Sequence, residues 1–168
     1  MELHLERHHW EPRSPDWAAA AVAGFAAGAL LMITEMIWST FAQGASPWTL
    51  PRMIAAIAMG PTTLHSDDFS VQVLAVALSI HYVLGVAFGM LLAAIIAPFH
   101  LDTSLGLALL AGAVFGVAVY GVNFYGMAHA FAWFKELRGA GMLVLHVIFG
   151  TAAAALYCSL ERGVAEPA

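Results

Sequence analysis

The chain has 168 residues, of which 61% are hydrophobic and 10% charged, with a mean hydropathy of +0.81 and a formal net charge of −5. An ordinary soluble domain is about one quarter charged, so this is the composition of an integral membrane protein with small extramembrane parts. The negative balance sits mostly at the termini and argues against nucleic-acid binding, and the single cysteine, Cys158, leaves no internal disulfide.

Residues 1–17 read as a polar N-terminal arm carrying His4, His8, His9 and Trp10. His-His-Trp beside carboxylates could hold a metal, although a solvated arm is the simpler reading. A secretory signal is not expected: the apolar run from Ala18 is too long for one and follows a mixed-charge segment.

A transmembrane domain is expected over 18–160, with spans at about 18–41, 71–97, 104–125 and 139–160, followed by a tail at 161–168. Each span has close to the ~20 apolar residues that a helix needs to cross the hydrocarbon core. Helices are required because lipid offers the backbone no hydrogen-bond partners, and no stretch alternates as a barrel strand would. Between Ala18 and Leu160 the ionised residues are Glu35, Arg52, Asp67, Asp68, Asp102, Lys135, Glu136 and Arg138, and only Glu35 falls inside a span.

The first connection is the longest. Ser46-Pro47-Trp48-Thr49-Leu50-Pro51 breaks the chain, and Arg52 to Met59 reads as a short amphipathic helix at the interface or folded back over the bundle. Pro98 ends span two, and Phe99 to Thr103 turns tightly into span three. The last connection, Gly126 to Arg138, is short and aromatic. Arg7, Arg13 and Arg162 on one side balance Arg52, Lys135 and Arg138 on the other, so the positive-inside rule ties. Both termini share one side, which we assign as cytoplasmic.

The spans repeat. Gly24 and Gly28 precede Glu35 as Gly112 and Gly116 precede Asn123, and His81-x3-Gly85 matches His146-x3-Gly150. The fold expected is therefore all-α: an integral membrane four-helix bundle of two parallel two-span repeats, with a short interfacial helix in the first loop. Residues four and seven apart share a helix face. Gly24 and Gly28 thus share a stripe with Glu35, and Gly112 and Gly116 share one with Asn123. His81 lies over Gly85 and near Gly89, and His146 lies over Gly150. Small residues mark where membrane helices touch, so each polar group should face protein. At 1.5 Å rise, Glu35 and His146 lie roughly 10 Å in from the face with the larger loops, and His81 roughly 15 Å. A parallel repeat axis sets Glu35 opposite Asn123 and His81 opposite His146, as diagonals of a bundle.

An ionisable group inside a membrane costs about 2.5–3.5 kcal/mol on insertion scales and is a functional hypothesis by default. Four readings follow. The cluster could be a structural polar core that locks helix register. It could hold a metal ion (Zn, Fe or Mn) through His81, His146 and Glu35, with Asn123, His129 and Tyr125 supporting or relaying. It could hold a b-type haem with His81 and His146 as axial ligands, and Arg52, Lys135 and Arg138 contacting propionates or other anionic groups. It could relay protons or ions. An enzyme is less expected: there is no nucleophile–base pair, phosphate loop or HExxH, so no catalytic residue is assigned.

The stretch Gly44 to Ala56, with Val122-Asn123-Phe124-Tyr125-Gly126 and Phe131-Ala132-Trp133-Phe134, resembles a group of small bacterial four-span inner-membrane proteins. Some of them carry the label sodium:proline symporter, a transporter fold far longer than this chain. The resemblance covers nearly the whole chain and implies topology, bacterial origin and the inner (cytoplasmic) membrane. It carries over no catalytic residues. The expected function is a buried Glu/His/Asn/His site that binds a metal ion or haem. The alternatives are an accessory or scaffold subunit of a larger membrane complex and ion translocation, and the expected partners are lipid and either a second copy or such a complex.

Overall fold

The computed structural model describes residues 13–65 and 68–165, with side chains to Glu161. The candidate arm residues His4, His8, His9 and Trp10 lie outside it, as do Arg7, Asp67 and the side chain of Arg162. Five α-helices carry the described chain: α1 (Trp17–Gln43), α2 (Thr49–Met59), α3 (Val71–Ile96), α4 (Leu105–Gly121) and α5 (Ala140–Ala165). α1, α3, α4 with its continuation to His129, and α5 are each long and apolar enough to cross a membrane. The protein is an all-α four-helix membrane bundle.

The helix ends follow from local chemistry. Asp16 Oδ1 accepts from the N–H groups of Ala18 and Ala19 at 3.0 Å, which caps α1. Gly44 closes α1 in the left-handed region at φ 67°. Ser70 caps α3 through Val73 N–H. Pro51 sits in the first turn of α2, where the missing N–H costs nothing. α4 does not continue as an α-helix to Tyr125: after Gly121 it widens into one π turn, Val122–Gly126, closed by Met127 N–H on Val122 C=O.

α1 packs on α3 and α5, and α4 packs on α5, which leaves α1 and α4 on opposite sides of the bundle. The repeat explains the two tightest seams. A Cβ on Gly24 would lie 2.9 Å from Gly89 Cα, and one on Gly89 would lie 2.7 Å from Ala20 O. A Cβ on Gly112 would lie 2.8 Å from Gly150 C, and one on Gly116 would lie 2.9 Å from Val147 Cα. Lipid tails are as apolar as leucine, so close backbone approach replaces the hydrophobic effect as the cement. Toward the short-loop face the core is filled by buried Ala20, Ala23, Ala93, Ile96, Ala108 and Ala153. Arg13 bridges Asp102 and, at 3.0 Å, Glu161 there. The hydrogen bond to Asp102 holds the Arg13 guanidinium above its usual pKa.

At the other end α2 folds inward over the bundle. Leu50, Met53 and Ile54 are buried, and Trp133 Nε1–H donates to Met53 C=O at 3.0 Å. The turn Ala132–Leu137 completes this roof with buried Phe134 and Leu137.

Candidate functional site

A cavity of about 60 Å³ lies beneath the roof. Glu35 (α1), His81 (α3), Asn123 (π turn) and His146 (α5) all line it, and the rest of its wall is apolar. The four polar groups singled out by the repeat therefore converge on one space. Their pairing differs from simple diagonals. His146 is the hub: Glu35 Oε1 lies 3.7 Å from its Nδ1, and Asn123 Nδ2 lies 3.2 Å from its Nε2.

Donor and acceptor accounting fixes the protonation pattern. His146 Nδ1 is 2.9 Å from Met142 C=O, which can only accept, so Nδ1 carries the hydrogen. A neutral ring then presents a lone pair at Nε2, and the amide N–H of Asn123 donates to it. That turns Asn123 Oδ1 away, where it is buried and accepts no hydrogen bond among the described residues. His81 Nε2–H donates to Gly28 C=O at 2.9 Å, which leaves its Nδ1 as a lone pair with no partner among them. The Glu35 side chain is 5% exposed, and its one polar neighbour among them, His146 Nδ1, stands beyond hydrogen-bond distance. Among the groups left without a hydrogen bond are a carboxyl group, an imidazole nitrogen and an amide oxygen.

His146 is thus held rather than open. Tyr120 and Phe124 meet its ring edge-on at centroid distances of 5.9 and 5.2 Å, and the residue is 1% exposed. The remaining candidates are not in the cavity wall. His129 and Tyr125 are exposed, and Arg138 lies 4.2 Å over the Tyr125 ring while its Nε–H donates to Phe124 C=O at 2.8 Å. Arg52 is 6% exposed and donates to Asp68 C=O at 3.3 Å, and Lys135 is exposed on the roof turn. Among the described residues no group of three or more His, Cys, Asp and Glu side chains could hold a metal ion.

Sequence reading missed Tyr120 and the Met142 carbonyl. The aromatic run was visible, but which ring meets His146 depends on the π turn. One extra residue in that turn rotates everything after Gly121, and no residue in Val122–Gly126 announces it. Compared with known proteins, the chain matches no family model, no curated sequence and no solved structure.

Proposed function

We propose that this protein binds a cation in the cavity roofed by α2, with Glu35 as the counter-charge and His81 Nδ1 and Asn123 Oδ1 as neutral donors. The observation that carries this reading is the buried Glu35 carboxyl group, which makes no hydrogen bond among the described residues. A desolvated polar group without a partner costs about 1–3 kcal/mol by mutational data, and a positively charged occupant removes that cost. His146 orients the site: its two nitrogens lock Met142 and Asn123 and so aim Oδ1. Oxygen and imidazole donors suit Zn, Mn or Fe among inorganic cations.

A b-type haem is the weaker reading. Both ring nitrogens of His146 are already engaged, and His81 commits one of its own to Gly28. α1 and α3 also close to backbone contact just beyond His81, at Gly24, Gly85 and Gly89. A purely structural core is favoured by the Asn123–His146–Met142 chain, but that chain leaves Glu35 out.

The test is equilibrium binding of ZnCl2, MnCl2 and simple ammonium salts to the purified protein, carried on a tag without histidines. Elemental analysis of the protein as isolated accompanies it. Saturable one-to-one binding of any of these that disappears in Glu35→Gln supports the reading. Binding that survives E35Q unchanged, or no binding at all, overturns it.

A further inference from the structure

The basic side chains divide into those already held and those left open. Arg52 is 6% exposed and is committed to the Asp68 carbonyl inside the roof. Arg13, at the opposite face, is held between Asp102 and Glu161. Lys135 and Arg138 are exposed, and neither pairs with a carboxylate among the described residues.

The local fold sets these two side by side. Ala132–Leu137 is a 3₁₀ turn, closed by Arg138 N–H donating to Lys135 C=O at 3.3 Å. Such a turn takes three residues, so side chains three apart eclipse. Lys135 and Arg138 therefore leave the turn on one side, and Glu136 leaves it a third of a turn away. The Arg138 side chain is also pinned. Its guanidinium lies 4.2 Å over the Tyr125 ring, and its Nε–H donates to Phe124 C=O at 2.8 Å. A guanidinium has five N–H donors, so those on the two terminal nitrogens stay open among the described residues.

Depth names the partner. The turn joins the end of the third span, at His129, to the start of the fourth, at Ala140, and so lies at the membrane surface. The exposed Tyr125 and half-buried Trp133 beside it are residue types that sit at headgroup level. We infer that Lys135 and Arg138 bind the phosphate of an anionic phospholipid. The planar fork of Arg138 matches two phosphate oxygens, and Lys135 adds a second charge. The Phe124 bond and the Tyr125 ring preset the fork, so less side-chain freedom is lost on binding. The same bond ties the headgroup to the π turn that carries Asn123. Free phosphate has the same chemistry, but acyl chains hold a lipid phosphate at the level of this turn.

The experiment is native mass spectrometry of the full-length protein released from nanodiscs of phosphatidylcholine mixed with phosphatidylglycerol. One phosphatidylglycerol should be retained per chain. Each cation near a membrane surface contributes about fivefold, so the preference over phosphatidylcholine should be roughly 30-fold. Lys135→Gln should cut it about fivefold, and K135Q with R138Q should abolish it. Arg138→Lys keeps the charge, but an ammonium cannot hold the Phe124 carbonyl and fork onto the phosphate together, so it should also lose about fivefold. Lys135 makes no hydrogen bond through its side chain among the described residues, so K135Q decides the matter should the Arg138 variants lose their helical signal. No preference for phosphatidylglycerol, or one that survives K135Q unchanged, overturns the inference. A preference unchanged in R138K means that charge alone acts, and the built site falls. Displacement of the lipid by inorganic phosphate makes this a site for a soluble anion and overturns the lipid assignment.

Discussion

Replacing Glu35 by leucine should stabilise the empty protein. A side chain that locks helices together is lost at a cost, whereas one that waits for a ligand is removed at a gain. The Coulomb attraction between Glu35 and His146 at 3.7 Å would be worth about 4 kcal/mol if both were ionised near a protein surface. That attraction is missing, because His146 donates through Nδ1 to Met142 and accepts at Nε2 from Asn123, the pattern of a neutral ring. No hydrogen bond among the described residues replaces it. The carboxyl group therefore carries a desolvation cost of about 1–3 kcal/mol with nothing set against it. Leucine fits the cavity wall, which is already apolar apart from the four polar groups. The expected change is a gain of about 1–3 kcal/mol, read as a shifted midpoint of denaturant unfolding in mild detergent at neutral pH without added cation. Tryptophan fluorescence and circular dichroism should report the same shift. A loss of stability beyond about 1 kcal/mol would refute the reasoning and make Glu35 a structural strut.

Two further outcomes follow from the same geometry. Alanine at Gly112 should destabilise by about 1–3 kcal/mol, because its Cβ drives into the Gly150 backbone and parts α4 from α5. Alanine at Gly28, whose Cβ would sit 3.5 Å from Gly85 Cα, should be tolerated; parallel unfolding curves check the pair, and equal losses would contradict the seam. Trp133→Phe should cost about 1 kcal/mol by releasing the Met53 carbonyl. It should also speed amide exchange in α2 relative to α3, measured by hydrogen exchange and mass spectrometry.

Much of the fold was legible because the bilayer simplifies the problem. Lipid forces helices, and a helix that spans must be apolar for about twenty residues, so the four spans could be located within a few residues of α1, α3, α4 and α5. The repeat of glycines ahead of Glu35 and Asn123, and beside His81 and His146, told which faces meet, since only small residues allow the contacts seen at Gly24–Gly89 and Gly112–Gly150. Face and depth together were enough to bring the four polar groups to one cavity.

Which of these groups bond to one another was not legible. Glu35 and His81 occupy positions equivalent to Asn123 and His146, yet only the second pair bonds, while His81 turns to Gly28 and Glu35 approaches His146. Hydrogen bonds form within about 3.5 Å, and a helix rotation of a few degrees moves a side chain by that margin. The π turn at Val122–Gly126 supplies such a rotation in one repeat, while α1 runs through its equivalent as an unbroken α-helix. The depth to which α2 sinks was likewise undecided by its own residues, because an amphipathic helix suits an interface and a bundle end equally. The Trp133 bond and the packing of the 132–137 turn decide it. Sequence alone determined the spans, their touching faces and the depth of the polar groups, because helix periodicity and the exclusion of water act along the chain. Tertiary structure alone decided the pairing, the roof and the cavity beneath it, because these depend on ångström-scale distances between segments that the chain does not encode locally.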